Sequence, residues 1–249
     1  MTGKGIHVVM YFRYILMGLS CYTLNVNAQN TTSNSKPKLE INSSAIKGGY
    51  ERGSMVYYTL KVTDEEDGFS DYDEIAPAEV FLKVRYVKDT MQLARYLEEE
   101  SGSDPMGLTY ARKLSCVTCH AVRGPLIGPS FTAIAEKYGK DRQAPEYLLE
   151  KVVKGTTGTW GEQIMPPHPG VARSQIMDII QWILTDAADA AINYFTGLSG
   201  AFRTNESQSG VYIIKATYTD HGDTGTPFSG KTGTAIVVIR PGEKGRGSR

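Results

Sequence analysis

Cys116-Val117-Thr118-Cys119-His120 is the stretch that decides how the centre of this chain folds. Two cysteines with two residues between them place both thiols where they can add to the two vinyl groups of one haem, and the next residue, His120, can bind the iron. The competing interpretations are a reactive dithiol and half of a zinc site. A redox dithiol normally lies in a βαβ unit, and a tetrahedral zinc site needs a second ligand pair. The sequence shows neither, so we expect one covalently attached haem c.

A second iron ligand is expected downstream, in Ile164-Met165-Pro166-Pro167-His168. The consecutive prolines fix the backbone of this loop and hold a side chain in place without backbone donors. The thioether of Met165 is a soft, neutral ligand, and coordination by methionine and histidine raises the reduction potential of the iron. The alternatives are that His168 binds the iron instead, or that Met165 is an ordinary apolar core residue.

Two further residues are candidates for supporting the cofactor. A histidine that binds a metal usually donates its other ring N–H to a carbonyl, and Gly128-Pro129 follows closely behind His120, so we expect the carbonyl of Pro129, or that of Gly128, as the acceptor. The indole N–H of Trp160 can reach a haem propionate, or the ring can simply pack in its loop.

The sequence around these motifs has a helical period. Asp104 suits an N-cap with Pro105 at the first helical position, and Gly155 suits the end of a helix. Four stripes of apolar side chains at helical spacing follow one another: Gly107, Tyr110, Ala111 and Leu114; Phe131, Ile134, Ala135 and Tyr138; Leu148, Leu149, Val152 and Val153; Ile176, Ile179, Ile180 and Ile183. We expect an all-α domain over residues 105–190.

This helical part resembles a class I cytochrome c of the small bacterial, monohaem type. The resemblance rests on Cys-Val-Thr-Cys-His, on Ile-Gly-Pro at 127–129, on Trp-Gly at 160–161 and on Met-Pro-Pro at 165–167. It implies four or five helices around a haem, with Cys116 and Cys119 as thioether attachments, His120 as the proximal ligand and Met165 as the distal ligand.

Both flanks of the helical part alternate as strands do. Residues 38–41, 55–63 and 80–86 come before it and residues 211–219 and 235–239 after it. Neither flank alone supplies enough strands for a core, so we expect one β-sandwich, split in sequence, with the helical domain inserted. The expected parts are 36–90 and 207–241 for the sandwich, with linkers at 91–104 and 191–206. The fold class is thus a mixed, multidomain one.

The flanks resemble the PKD-like, Ig-like modules of secreted oxidoreductases from Bacteroidetes-type bacteria. In those proteins a sugar-dehydrogenase domain often precedes such modules. This chain has none, so we expect a separate electron donor or a partial product. The acidic stretch Asp64-Glu65-Glu66-Asp67 is either a calcium site or a solvated turn.

The amino terminus predicts export. Lys4 and Arg13 precede an apolar run, which ends before small residues near Ala28. This pattern is typical of a signal peptide, here over residues 1–28. Cys21 is a candidate for lipidation. We therefore expect a periplasmic or cell-surface protein. The tail, 242–249, is basic and rich in glycine, and we expect it to be disordered.

The amino-acid composition and the absence of catalytic motifs exclude several classes of function. The 249 residues contain 27 Lys and Arg against 27 Asp and Glu, so the chain lacks the basic surplus of a nucleic-acid binder. No Ser/His/Asp arrangement or carboxylate pair suggests catalysis. We expect a one-electron carrier that takes electrons from a dehydrogenase and passes them to a terminal oxidase or another cytochrome. The alternatives are a haem enzyme or sensor with a labile distal ligand, and a binding module whose sandwich docks onto a polysaccharide or protein.

Overall fold

The β-strands of this computed structural model, which describes residues 34–207, 209–222 and 229–242, form two antiparallel sheets. The first sheet has β2 in its middle, paired with β1 on one side and with β3 and β6 on the other: β1 Lys38–Asn42, β2 Met55–Asp64, β3 Gly68–Phe69, β6 Ser199–Arg203. The second has the order β5-β4-β7-β8: β4 Phe81–Val87, β5 Ile192–Thr196, β7 Val211–Thr219, β8 Thr232–Ile239.

The two sheets share one hydrophobic core. The alternation predicted for β2 is present, since its even-numbered residues are buried and most of its odd-numbered ones are exposed. Buried side chains from both sheets meet in this core: Val56, Tyr58, Leu60, Val62, Leu82, Val84, Phe202, Ile214 and Ala216. Strands from before and after the helical part therefore pack together, as expected for a split pair of sheets. The likeness to PKD or Ig modules stays a prediction.

Six helices accompany the sheets within the described residues: α1 Ala45–Gly48, α2 Leu93–Ser101, α3 Met106–Lys113, α4 Phe131–Tyr138, α5 Ala144–Lys154 and α6 Arg173–Leu184. The last four are the helices that the apolar stripes predict. α3 and α6 cross closely at Gly107, where a Cβ would lie 2.1 Å from the backbone oxygen of Asp178. Only a residue without a side chain fits at this crossing.

The predicted N-cap of α3 is wrong by one residue. Pro105, not Asp104, is the N-cap, and no side chain caps this helix. The Asp104 carboxylate instead pairs with Arg112, at 3.2 Å, and with Lys215, at 2.8 Å. A buried carboxylate gains more from two cations than from one backbone N–H, so the tertiary ion pairs override the local cap signal.

The segment predicted as a linker over 91–104 contains α2. Leu93, Tyr96 and Leu97 pack on the outer face of the second sheet, against a cluster that includes Val87 and Val211. The acidic end of α2 is also tied down, because the buried carboxylate of Glu100 accepts contacts of 2.8 Å from Lys83 and 2.7 Å from Arg85. The predicted linker thus contains a helix that packs on the sheet, where the charge of Glu100 is satisfied.

The second predicted linker, 191–206, is also wrong, because it contains strands β5 and β6. These two strands are short and are joined at Gly197, whose φ of +114° favours glycine. β5 joins the second sheet through pairs such as Arg85 with Ile192, and β6 joins the first. The partners of both strands are distant in sequence, so no local pattern indicates the pairing.

β7 departs from its predicted one-sided pattern, since all of its residues but the last are buried. One face lies in the core between the sheets and the other is covered by α2 and by the segment before α3. Lys215, for example, points away from the core and donates to the carbonyl of Gly102 at 3.0 Å.

Several sequence expectations fall outside the described residues: the signal peptide over 1–28, Cys21, and residues 243–249 of the predicted tail. None of the helices within the described ranges is long and apolar enough to span a lipid bilayer.

Candidate functional site

The helices α4 to α6 and the loops that connect α3 to α6 enclose a mainly apolar cavity of about 350 Å³. Its walls include the Cys116–His120 segment and the loop that carries Met165. All the residues that the sequence assigns to cofactor binding line it: Cys116, Cys119, His120, Pro129, Trp160 and Met165. One cavity thus collects two thiols, an imidazole and a thioether that come from distant parts of the sequence.

The two cysteines lie on a turn that follows α3. Ser115 takes the left-handed conformation, with φ of +58°, and residues Cys116–Thr118 form one turn of 3-10 helix. The His120 N–H donates to the Cys116 carbonyl at 3.0 Å, which fixes the histidine to the same turn. Burial raises the pKa of the Cys116 thiol, so this thiol stays protonated, unlike the thiolate that a reactive dithiol requires.

The imidazole of His120 is held from two directions. Its Nδ1 lies 2.8 Å from the carbonyl oxygen of Pro129, one of the two acceptors that the sequence suggests. Because that contact needs a proton on Nδ1, the lone pair is left on Nε2, the atom that can bind a metal. The ring of Phe131 stacks on the imidazole with centroids 5.5 Å apart and an angle of 18°. Sequence reasoning assigned Phe131 only to a helix face.

Gly128 has a steric role that the sequence did not reveal. A Cβ at this position would lie 2.6 Å from Cε1 of His120, closer than side-chain atoms normally approach. The Gly128 N–H also donates to the Cys119 carbonyl at 2.8 Å. The loop therefore runs directly over the imidazole, and only glycine leaves room for that ring.

We expect Gly128→Ala to displace the imidazole or the loop and to destabilise the protein by about 1–3 kcal/mol, the usual cost of overpacking. Thermal unfolding and the visible spectrum of the haem-loaded protein measure the two effects. Gly170→Ala is the control, because a Cβ there would meet nothing within 4 Å. Equal melting temperatures and equal spectra for both variants would contradict this account.

The backbone of Met165 is fixed by a small antiparallel bridge with Thr156. The N–H of Thr156 donates to the Met165 carbonyl at 3.1 Å, and the N–H of Met165 donates back at 2.9 Å. Gly155 makes this approach possible: its φ is +73°, and a Cβ there would lie 2.7 Å from the Met165 oxygen. In the sequence Gly155 signals only the end of α5, whereas the fold also uses it to seat the methionine loop.

His168 and Trp160, the two less certain candidates, both line the cavity. His168 is held through its backbone, whose N–H donates to the Val152 carbonyl at 3.0 Å. Trp160 is 40% exposed at the rim, with the ammonium of Lys137 4.6 Å from its ring centroid and the ring of Tyr138 at 6.5 Å. The indole ring of Trp160 therefore packs at the rim against Tyr138 and Lys137.

These residues fit a covalently bound haem. The site offers two thiols for attachment and an imidazole whose Nε2 is left with its lone pair. It also holds a thioether in the same apolar enclosure, and this donor set suits an iron porphyrin better than a bare metal ion.

Comparison with known proteins gives the same assignment for the centre of the chain. The profile of the Cytochrome c family matches residues 107–186. Cytochrome c-551 of Allochromatium vinosum is 38% identical over 31% of this chain and 82% of the relative. Cytochrome c-552 of Nitrosomonas europaea is 37% identical over 30% of this chain and 73% of the relative. The crystal structure of wild-type cytochrome c552 from Nitrosomonas europaea is 36% identical, covers 31% of this chain and 96% of that one, and aligns with a TM-score of 0.31.

Proposed function

The chain belongs to the cytochrome c family through residues 107–186, and from this premise we propose that it carries single electrons with a haem held by Cys116, Cys119, His120 and Met165. Like its family, the chain carries a covalently attached haem c. The observation that supports the ligand assignment is the shared cavity, which brings these four side chains together from separate segments.

Each of the four residues has a defined task in this proposal. Cys116 and Cys119 form the thioether bonds, and their turn fixes the position of His120. His120 and Met165 would bind the iron, the first oriented by the Pro129 carbonyl and the second by the bridge to Thr156. The bound haem supplies an iron that takes up and releases one electron, and a thioether ligand favours its reduced state.

The remaining lining residues exclude water from the cofactor. The walls are mainly apolar, with isoleucines from α6 such as Ile176, Ile180 and Ile183. At the rim, Ile127 and Trp160 are more than one third exposed, so the enclosure opens to solvent there. We propose that electrons enter and leave through this open edge, without bond formation between the partners.

We propose a dehydrogenase as the donor and a terminal oxidase or another cytochrome as the acceptor. The carrier would operate in the periplasm or at the cell surface. Support for this location comes from the sequence, in which an apolar run with small residues at its end precedes the residues that the structure describes.

A visible spectrum, oxidised and reduced, with and without carbon monoxide, tests the proposal. On protein matured with haem attached, we expect low-spin spectra, the weak near-red band of sulfur bound to iron, and no response to carbon monoxide. Methionine ligation by a fixed loop leaves no open coordination position for an added ligand.

High-spin features or ready carbon monoxide binding would overturn the proposal that this protein is an electron carrier. Such a result would favour the alternative of a haem enzyme or sensor with a labile distal ligand. Met106→Ala is a suitable control variant, since Met106 lies half-exposed at the start of α3 and not on the cavity wall. Its spectra should match those of the unmodified protein.

A further inference from the structure

A group of buried oxygen atoms lies where several strands end, apart from the haem cavity. Asp64 is the last residue of β2, Asp220 follows β7, and Asn34 precedes β1. The Asn34 amide nitrogen donates to Asp220 Oδ1 at 3.0 Å, which joins the segment before β1 to the end of β7. We call Asn34, Asp64 and Asp220 the strand-end cluster.

Each carboxylate of the strand-end cluster has one saturated and one unpartnered oxygen. Asp64 Oδ1 accepts from the N–H groups of Glu66 at 3.1 Å and Asp67 at 2.8 Å. Asp220 Oδ1 accepts from the N–H groups of Gly222 and Lys231, both at 2.9 Å, as well as from Asn34. Oδ2 of Asp64 and Oδ2 of Asp220 are buried and have no hydrogen-bond partner.

Asn34 adds an independent indication of a missing partner. This neutral side chain is only 9% exposed, and its Oδ1 is likewise buried without a partner. A buried acceptor without a hydrogen-bond partner is energetically costly, so three in one small region indicate a compensating group. All three are oxygens with free lone pairs, which a donor or a cation would satisfy.

Burial and neighbouring negative charges act on the carboxyl group of Asp64. Burial is the main cause that raises the pKa of Asp64, and the charges of Asp67 and Asp220 raise it further, so the fold disfavours its carboxylate form. Of the basic groups nearby, Lys231 donates to the backbone carbonyl of Asn34 at 2.5 Å. The charge of Asp220 also acts on Lys113.

The neighbouring acids are already engaged. Asp67 Oδ2 accepts from the Tyr218 hydroxyl at 2.6 Å and lies 2.9 Å from Nδ1 of His221, whose Nε2 lies 3.2 Å from Glu79.

We propose that the strand-end cluster binds a divalent cation of the calcium type. Its free ligands are carboxylate and amide oxygens, which hard cations prefer, and it contains no sulfur or imidazole nitrogen among them. Within the described ranges no group of three or more His, Cys, Asp and Glu side chains is placed so that it could hold a metal ion. The proposed site therefore consists of two carboxylates and one amide. Calcium, which accepts an irregular set of six to eight oxygens, suits such a set completed by water better than magnesium does.

Binding there would fasten the start of the folded chain. Asn34 and Asp220 come from segments far apart in sequence, and Ser35 already donates to Glu66, at 2.9 Å from its N–H and 2.8 Å from its hydroxyl. A cation shared by Asn34, Asp64 and Asp220 would join the segment before β1 to both sheets. This inference does not depend on the electron-transfer role.

Calorimetric titration of calcium chloride into haem-loaded, chelator-treated protein tests the proposal, together with thermal unfolding in calcium and in chelator. We expect one calcium ion per chain and a higher melting temperature in calcium, because a ligand that binds only the folded state stabilises it. Asp64→Asn and Asp220→Asn should weaken binding at least about tenfold, since ligand charge sets affinity in calcium sites.

Asn34→Ala keeps both acids and guards against loss of fold in the aspartate variants; it should also bind calcium more weakly. Asp71→Asn is the matched control, because Asp71 is an exposed acid near the end of β2, paired only at the surface with Lys61, and should bind like the unmodified protein. The proposal is overturned if chelator-treated protein takes up no calcium, or if Asn34→Ala binds calcium as tightly as Asp71→Asn does.

Discussion

Met165→Ala is expected to lower the reduction potential by on the order of 0.1 V or more, within the span of about 0.8 V that axial ligands set in haem proteins. The thioether favours the reduced iron, and its removal leaves water or an open position in its place. The near-red sulfur band should disappear and the reduced protein should bind carbon monoxide. Potentiometric titration followed by the visible spectrum measures all three changes.

His168→Ala separates the two candidate ligands of this loop. Both side chains line the cavity, and the backbone of each is fixed by a hydrogen bond, Met165 to Thr156 and His168 to Val152. If Met165 is the ligand, His168→Ala keeps the sulfur band and the potential. If instead Met165→Ala changes neither while His168→Ala opens the iron, the ligand assignment made above is wrong.

Asp104→Ala is expected to cost about 3–5 kcal/mol of unfolding free energy, the range found when a buried ion pair loses one partner. The carboxylate is 8% exposed and lies between Arg112 and Lys215, which are 10% and 3% exposed. Without it, two buried cations face each other across the contact between α3 and β7. Denaturant unfolding of the haem-loaded protein measures the loss.

Arg112 also binds groups of the second sheet and the segment before it. Its guanidinium donates to the Thr217 hydroxyl at 3.0 Å and to the Glu79 carbonyl at 3.3 Å. Because this network joins the helical part to the sheets, haem absorbance and far-UV circular dichroism should report one shared transition. Glu99→Ala is the control: its pair with Arg95 is solvent-exposed, and such pairs contribute about 0–1 kcal/mol. An equally small effect of Asp104→Ala would refute the role given to the network.

The sequence predicts those elements whose apolar pattern is long and local. α6 shows it well, because Ile176, Ile179, Ile180 and Ile183 repeat at helical spacing and are all buried. β2 does the same with period two. α2 and β5 could not be found this way. The buried charge of Glu100 in α2 is satisfied by Lys83 and Arg85 of β4, and β5 pairs with the same strand, which lies far earlier in the chain.

Some residues of the candidate site can be recognised in the sequence and others cannot. Residues whose chemistry is particular to their type, such as Cys116 and His120, are recognisable from spacing alone. Gly128, Gly155 and Phe131 are not, because their importance lies in what they approach. A Cβ at Gly128 would meet the imidazole and one at Gly155 would meet the methionine loop, and neither contact exists until the chain has folded.

The pairing of β4 with β5 fixes the order in which a growing chain can assemble. Arg85 pairs with Ile192, so the chain leaves the second sheet after Val87 and re-enters it beside the same strand, with the five helices α2 to α6 and the cofactor turn in between. β2 emerges from the ribosome long before its partner β6, and β4 emerges long before its partners β5 and β7, whereas α3 to α6 make most of their contacts among themselves. We expect the cytochrome part to be completed first, while the early strands wait with open edges that invite aggregation. Chains cut short after α6 should therefore be degraded or aggregate rather than accumulate as small soluble cytochromes.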